Sequence, residues 1–224
     1  MSGIPLIFTS GWASGINSYA VMLMLGLLGR YGHMSPVPPT LERTDVLAAA
    51  GVLFCCQFVV GKIPYVDSAW DLVHTAIRPV LGGAIGVLMA HHGHGSLAAA
   101  TAAAALGGGS ALATHLVKTG VRLGVNTSPE PVSNIVASVL EDLTVSGMVV
   151  FALLHPAIAA AVAAVLLLLG VVGVALLAAR IRTAWRRRRE RRAQRRARRS
   201  GQGWPQTAPA GAGTAVPPQP PRPQ

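Results

Sequence analysis

The chain has 224 residues, 51% of them hydrophobic and 12% charged, whereas ordinary soluble domains carry about 25% charged residues. With a mean hydropathy of +0.48, this composition argues against a soluble globular protein. The net charge of +11 suggests a nucleic-acid binder only until it is placed. Arg180 onward holds 13 Lys/Arg and one acid, against 6 Lys/Arg and 7 acids in residues 1–179. A nearly neutral, very apolar body therefore precedes a basic tail.

The N-terminal MSGIPLIFTSG lacks the positive region and cleavage site of a secretory signal, so the first span is expected to be retained and to direct insertion. No lipidation signature is present. That first span runs from Ile4 to Gly29 and is polar in its first half, where Ser14, Gly15, Asn17, Ser18 and Tyr19 crowd together. Such a patch resembles the interrupted helices of transporter sites; tight helix packing explains it nearly as well. Val46–Gly61 is a shorter apolar run bounded by Asp45 and Lys62. It contains Cys55 and Cys56, adjacent thiols that form no disulfide framework and are expected to pack in the membrane.

Two later apolar runs, Val80–Ala90 and Leu143–Leu154, are each too short to cross about 30 Å of hydrocarbon. Each must recruit the polar segment before it or turn back as a re-entrant element. After Pro64, Asp67, Asp71, His74 and Arg78 fall at i, i+4, i+7 and i+11; after Pro131, Asn134, Ser138 and Glu141 fall at i, i+4 and i+7, with Asp142 beside them. Both spacings put polar groups on one helical face. The two stretches superpose at an offset of 67 residues, and Gly15 and Gly26 echo Gly109 and Gly120 at an offset of 94. An internal repeat with a deleted loop accounts for both offsets; so does chance.

Between them, His91, His92 and His94 form an HHGH cluster. Imidazoles suit transition metals, but without a nearby carboxylate these read as polar loop residues, and no tight metal site is expected. The span Ser96–Val117 is rich in Ala and Gly, with a GGGS break at Gly107–Ser110. It leads into a basic stripe of His115, Lys118 and Arg122. Charges exposed to lipid at mid-bilayer cost about 2.5–3.5 kcal/mol each. Asp71 and Glu141 are therefore expected in the bundle interior near His115 and Lys118. The competing reading lays residues 64–78 flat in the interface, anchored by Tyr65 and Trp70, and lets Lys118 and Arg122 snorkel.

Ala157–Ala179 is the clearest span. The twelve arginines of Arg180–Arg199 follow it as a stop-transfer flank, placing the C-terminus in the cytoplasm and attracting anionic lipid headgroups. Nucleic acid is not expected as a partner, because no stacking aromatics or folded module accompany the arginines. Residues 200–224 are Pro-rich and expected to be disordered. Six spans put the N-terminus in the cytoplasm too. The Lys62 and Lys118/Arg122 loops then face inward, and the 91–95 and 155 loops outward.

The strings SGWASGINSYA, GLLGRYG, KIPYVDSAWDLVHTAIRPVLGG and NTSPEPVSN followed by LED resemble, in kind, order and spacing, a bacterial integral-membrane family known only as a domain of unknown function, family four-one-two-six. The resemblance covers about residues 8–180 and implies a small polytopic inner-membrane protein, with no activity or catalytic residues to carry over.

These readings converge on an all-α polytopic membrane bundle of about six segments, two of them broken or re-entrant. The membrane domain is 1–179, the Arg-rich cytoplasmic segment 180–199 and the tail 200–224. P-loop, GxGxxG, HExxH and GxSxG motifs are missing, so an enzyme is the weaker expectation, and no cofactor is implied. The leading function is transport or channelling of a small solute, ion or lipid headgroup through the intramembrane polar site. The rival is a non-catalytic membrane scaffold. A homo-oligomer is compatible with either.

Overall fold

The computed structural model describes residues 3–34, 36–61, 63, 66–125 and 131–201. Lys62, Tyr65 and the Pro-rich residues 202–224 lie outside the described residues, as do the side chains of Asp67 and Asn134. The described residues form six α-helices: α1 (Gly3–Gly32), α2 (Thr44–Val60), α3 (Val66–His92), α4 (Leu97–Val125), α5 (Pro131–Leu154) and α6 (Pro156–Gly201), with one 3-10 turn at Pro39–Glu42. No strand occurs among them. Four helices are long and apolar enough to cross a membrane: Gly3–Gly32, Ala69–His92, Leu97–Arg122 and Pro156–Glu190.

Residues Met1–Ala178 form one compact unit and Ala179–Gln224 another. In the first, polarity is inverted relative to a water-soluble core. Leu72, Val73, Val80, Leu168 and Leu169 are exposed, while Asn17, Asp71, His74, Arg78 and His115 are buried. In water this much exposed apolar surface would drive association; against lipid tails it costs nothing. The second unit continues as helix to Gly201, its side chains exposed from Arg180 through Glu190.

Each of the two short apolar runs continues the helix of the polar segment before it. α3 and α5 are single helices of 27 and 24 residues, about 40 and 36 Å at 1.5 Å per residue, and their polar halves continue the same helix. Neither is broken or re-entrant, because one-sided polar spacing lets each helix turn its charged face inward without interrupting its backbone. Pro79 sits inside α3 without ending it. The break falls instead in α1, where Asn17 has φ −150° and ψ 95°. Gly107–Ser110 is likewise no break: α4 is helical from Leu97 to Val125.

Those small residues act by shape. α1, α3 and α4 meet at glycines whose missing side chains let backbones touch. A Cβ on Gly15 would strike the Ala111 carbonyl and stand 2.6 Å from Thr114 Cβ; one on Gly82 would lie 2.7 Å from Ala111 Cβ and 2.8 Å from the Gly107 carbonyl. Gly109, on the same GGGS run, has nothing within 4 Å of a Cβ. α6 meets α4 by the converse device, Val174 and Val117 standing where Cβ atoms on Gly120 and Gly170 would be.

Gly15→Ala should therefore destabilise the bundle by about 1–3 kcal/mol or more, the usual range for overpacking, whereas Gly109→Ala should be neutral. Thermal unfolding of the two detergent-purified variants checks this; equal melting temperatures would contradict the α1–α4 contact.

Candidate polar site in the bundle

The site starts from the break in α1. In an unbroken helix the Ile16 carbonyl would accept the Ala20 N–H. Asn17 instead adopts an extended backbone and its Oδ1 takes that N–H at 3.0 Å, the geometry of an N-cap opening a new helix. The Ser18 hydroxyl donates to the Ser14 carbonyl at 2.8 Å. Two carbonyls at the end of the first half-helix turn to side chains on other helices. Gly15 O accepts from Arg78 Nη1 at 2.8 Å, and Ile16 O from Lys118 Nζ at 3.0 Å. At the start of the second half-helix, Asn17 Nδ2 donates to Asp142 Oδ1 at 2.9 Å. Cations thus meet a helix C-terminus and an anion approaches an N-terminus, both favoured by the helix dipole.

Around this break the charges pair. Arg78, fully buried, donates to Asp71 Oδ1 at 2.9 Å. Lys118 Nζ lies 2.9 Å from Glu141 Oε2 and 3.9 Å from Asp71 Oδ1. Arg122 forks onto Glu141 through Nε and Nη2 at 3.0 and 2.8 Å, a bidentate geometry that fixes both groups. Three cations (Arg78, Lys118, Arg122) and three anions (Asp71, Glu141, Asp142) cancel. Exposed to lipid, six such charges would cost on the order of 15–20 kcal/mol on insertion scales; neutralised inside the bundle they need not.

Both interior histidines are tied to their neighbours through both ring nitrogens. Arg78 Nη1, which can only donate, meets His115 Nδ1 at 2.8 Å, so that nitrogen accepts and Nε2–H donates to Thr75 Oγ1 at 3.0 Å. The Thr75 hydroxyl passes its own proton to the Asp71 carbonyl at 3.1 Å. In His74 it is Nδ1–H that donates, to the Trp70 carbonyl at 2.8 Å, while Nε2 and the Tyr19 hydroxyl share a hydrogen bond of 3.0 Å. Trp70 stacks on the His74 ring with centroids 4.7 Å apart.

Of the residues singled out from the sequence, Gly15, Asn17, Tyr19, Asp71, His74, Arg78, His115, Lys118, Glu141 and Asp142 join this network. Ser138 is buried beside it and Ser14 contributes its carbonyl. Arg122 does not snorkel; it is buried, because Glu141 on α5 accepts both arms of its guanidinium. Lys118 and Arg122 lie in α4 rather than a loop, so their charge is spent inside the bundle and says nothing about topology. His91 and His92 end α3, and His94 follows in a left-handed turn with φ 55°. Among the described residues no group of three His, Cys, Asp or Glu is placed to hold a metal. Cys55 and Cys56 are free thiols exposed on α2, which buries only Ala50 and Gln57.

Sequence reasoning missed Thr75, which joins His115 to the Asp71 carbonyl, and Gln57. Gln57 stands alone in an apolar helix, and a lone amide in such a run was the available signal. It lines a polar chamber of about 10 Å³ with Trp70, Asp71, Arg78, Ser138 and Glu141. A separate groove of about 200 Å³, walled by Trp12, Ile16, Val117, Val121 and Leu166, also reaches Lys118 and Glu141.

The family model described as a domain of unknown function (DUF4126) matches residues 4–175, and the chain belongs to that family. Its apolar helices are those of a membrane-embedded protein. No curated protein and no solved structure matches the chain.

Glu141→Gln should leave Lys118 and Arg122 without their shared counter-charge and destabilise the bundle by about 3–5 kcal/mol. Adding Lys118→Met should recover part of that loss, with a coupling of about 0.5–3 kcal/mol. Unfolding of both single variants and the double variant measures it; strict additivity would mean the pair contributes nothing together.

Proposed function

We propose that the protein moves a small ion or solute across the membrane through the polar cluster at the break in α1. The observation that carries this reading is the break itself. Irregular backbone inside a span is tolerated where it is buried in protein or lines a path, and half-helix termini facing charged groups near mid-membrane are how transporters build binding sites. Asp71, Glu141 and Asp142 would carry the coupling charge. Arg78 and Lys118 would balance it and hold the freed carbonyls of Gly15 and Ile16.

The scaffold reading has its own support. Every charge of the cluster has a protein partner, and the chamber beside it is far smaller than a solute. A transporter must open this arrangement; a scaffold need not. Flux into proteoliposomes separates the two. Purified protein should dissipate an imposed ion or pH gradient, and Asp71→Asn and Glu141→Gln, if folded, should abolish that activity. Protein-containing vesicles as tight as empty ones to protons, sodium, potassium and chloride would favour the scaffold.

The same reading sets the molecule in a bacterial inner membrane with the arginines of Arg180–Arg199 on the cytoplasmic side, against anionic headgroups. A phosphatase reporter fused after Gln224 should be inactive and a fluorescent protein there bright; the reverse pattern would overturn the topology.

A further inference from the structure

We infer that the chamber between α2, α3, α4 and α5 binds a single water molecule as a fixed member of the ion-pair network, and that the species able to pass the cluster is therefore the proton. The second part rests on the transport reading above; the first does not. Among the described residues, Gln57 Oε1, Trp70 Nε1 and Arg78 Nε are buried polar atoms with no hydrogen-bond partner, and these residues line this one chamber together with the Asp142 carboxylate. Arg78 is fully buried and its Nη atoms are already committed to Gly15, His115 and Asp71. That leaves its Nε–H without a hydrogen-bond partner, in a residue that lines the chamber.

The donors and acceptors identify the occupant. Two N–H groups on one side, and an amide oxygen with carboxylates in the wall on the other, need a ligand that both accepts and donates, which water does and a halide or a metal cation does not. The volume of about 10 Å³ is what one water requires, and three polar partners are the usual number for a buried water. Charge agrees: the three cations and three anions around the chamber already sum to zero, so a neutral dipole keeps the balance and any ion would upset it in a site of low dielectric. A hydrated ion does not fit. Water in this position passes a proton by accepting one and releasing another, its own composition unchanged, with the Asp71 and Glu141 carboxylates in the chamber wall as neighbouring acceptors.

Water-edited solid-state NMR on the full chain in lipid bilayers, with labelled indole nitrogens, tests this. Chloride-free and chloride buffers are compared, and Trp70 is assigned from a Trp70→Phe variant. Trp70 Nε1–H should receive magnetisation from water at short mixing times. Gln57→Leu should remove that transfer and Gln57→Glu should keep it, with exposed Trp185 unchanged throughout. No transfer to Trp70 in the wild-type protein overturns the bound water, whatever the variants do. A Trp70 shift that follows chloride makes the occupant an anion and overturns it equally. The selectivity is read separately in proteoliposomes, with an enclosed pH dye beside tracer sodium and chloride. Proton flux alone supports it, and sodium or chloride flux overturns it while leaving transport standing. With the NMR contact present and no flux of any kind, transport falls and the bound water remains.

Discussion

A helix interrupted inside a hydrocarbon slab leaves carbonyl groups that only the protein can satisfy, and this requirement organises the molecule. Once Asn17 departs from helical geometry, the carbonyls of Gly15 and Ile16 need donors that lipid lacks. Arg78 from α3 and Lys118 from α4 supply them. Those cations in turn require anions, which come from Asp71 on α3 and Glu141 on α5. Asp142 closes the circuit on the Asn17 amide itself. Each helix that touches α1 deeply does so through a group this one break calls for, and the glycines that let α1 lie against α4 bring the carbonyls within reach.

The energetics explain why the arrangement is closed. A buried ion pair is a weak source of stability when both partners are present, but losing one is severe. Alternating signs, with Glu141 shared between two cations and Asp71 between Arg78 and the more distant Lys118, spread that liability over the network. The histidines add further donors and acceptors. They hold Arg78 and Tyr19 in place.

Much of the architecture could be read from the sequence because it rests on periodicity. The spacing of Asp71, His74 and Arg78, and of His115, Lys118 and Arg122, declared one inward face on each helix, and the crowded Ser14–Tyr19 patch resembled an interrupted span. Periodicity could not say that the polar halves of α3 and α5 would simply continue the helix, since a short apolar run looks alike in a re-entrant and a straight segment. Some of the pairing was also out of reach. The nearest partner of Asp71 is Arg78, two turns along its own helix, and the partners of Arg78 and Lys118 on α1 are backbone oxygens, which leave no trace in residue identity. Gln57 escaped because one amide makes no pattern.

The break has a further consequence for how the molecule is made. Asn17 is made well before Asp142, the carboxylate that its side-chain amide meets, which lies 125 residues further along. At about 5–20 residues per second that is a delay of roughly 6–25 s. Throughout it the Asn17 side-chain amide exists without its carboxylate, although Arg78 and Lys118, the donors to the freed carbonyls, are made earlier. The network around the break is therefore complete only once the helix that carries Asp142 has been made, and its closure can be no faster than the synthesis of that stretch.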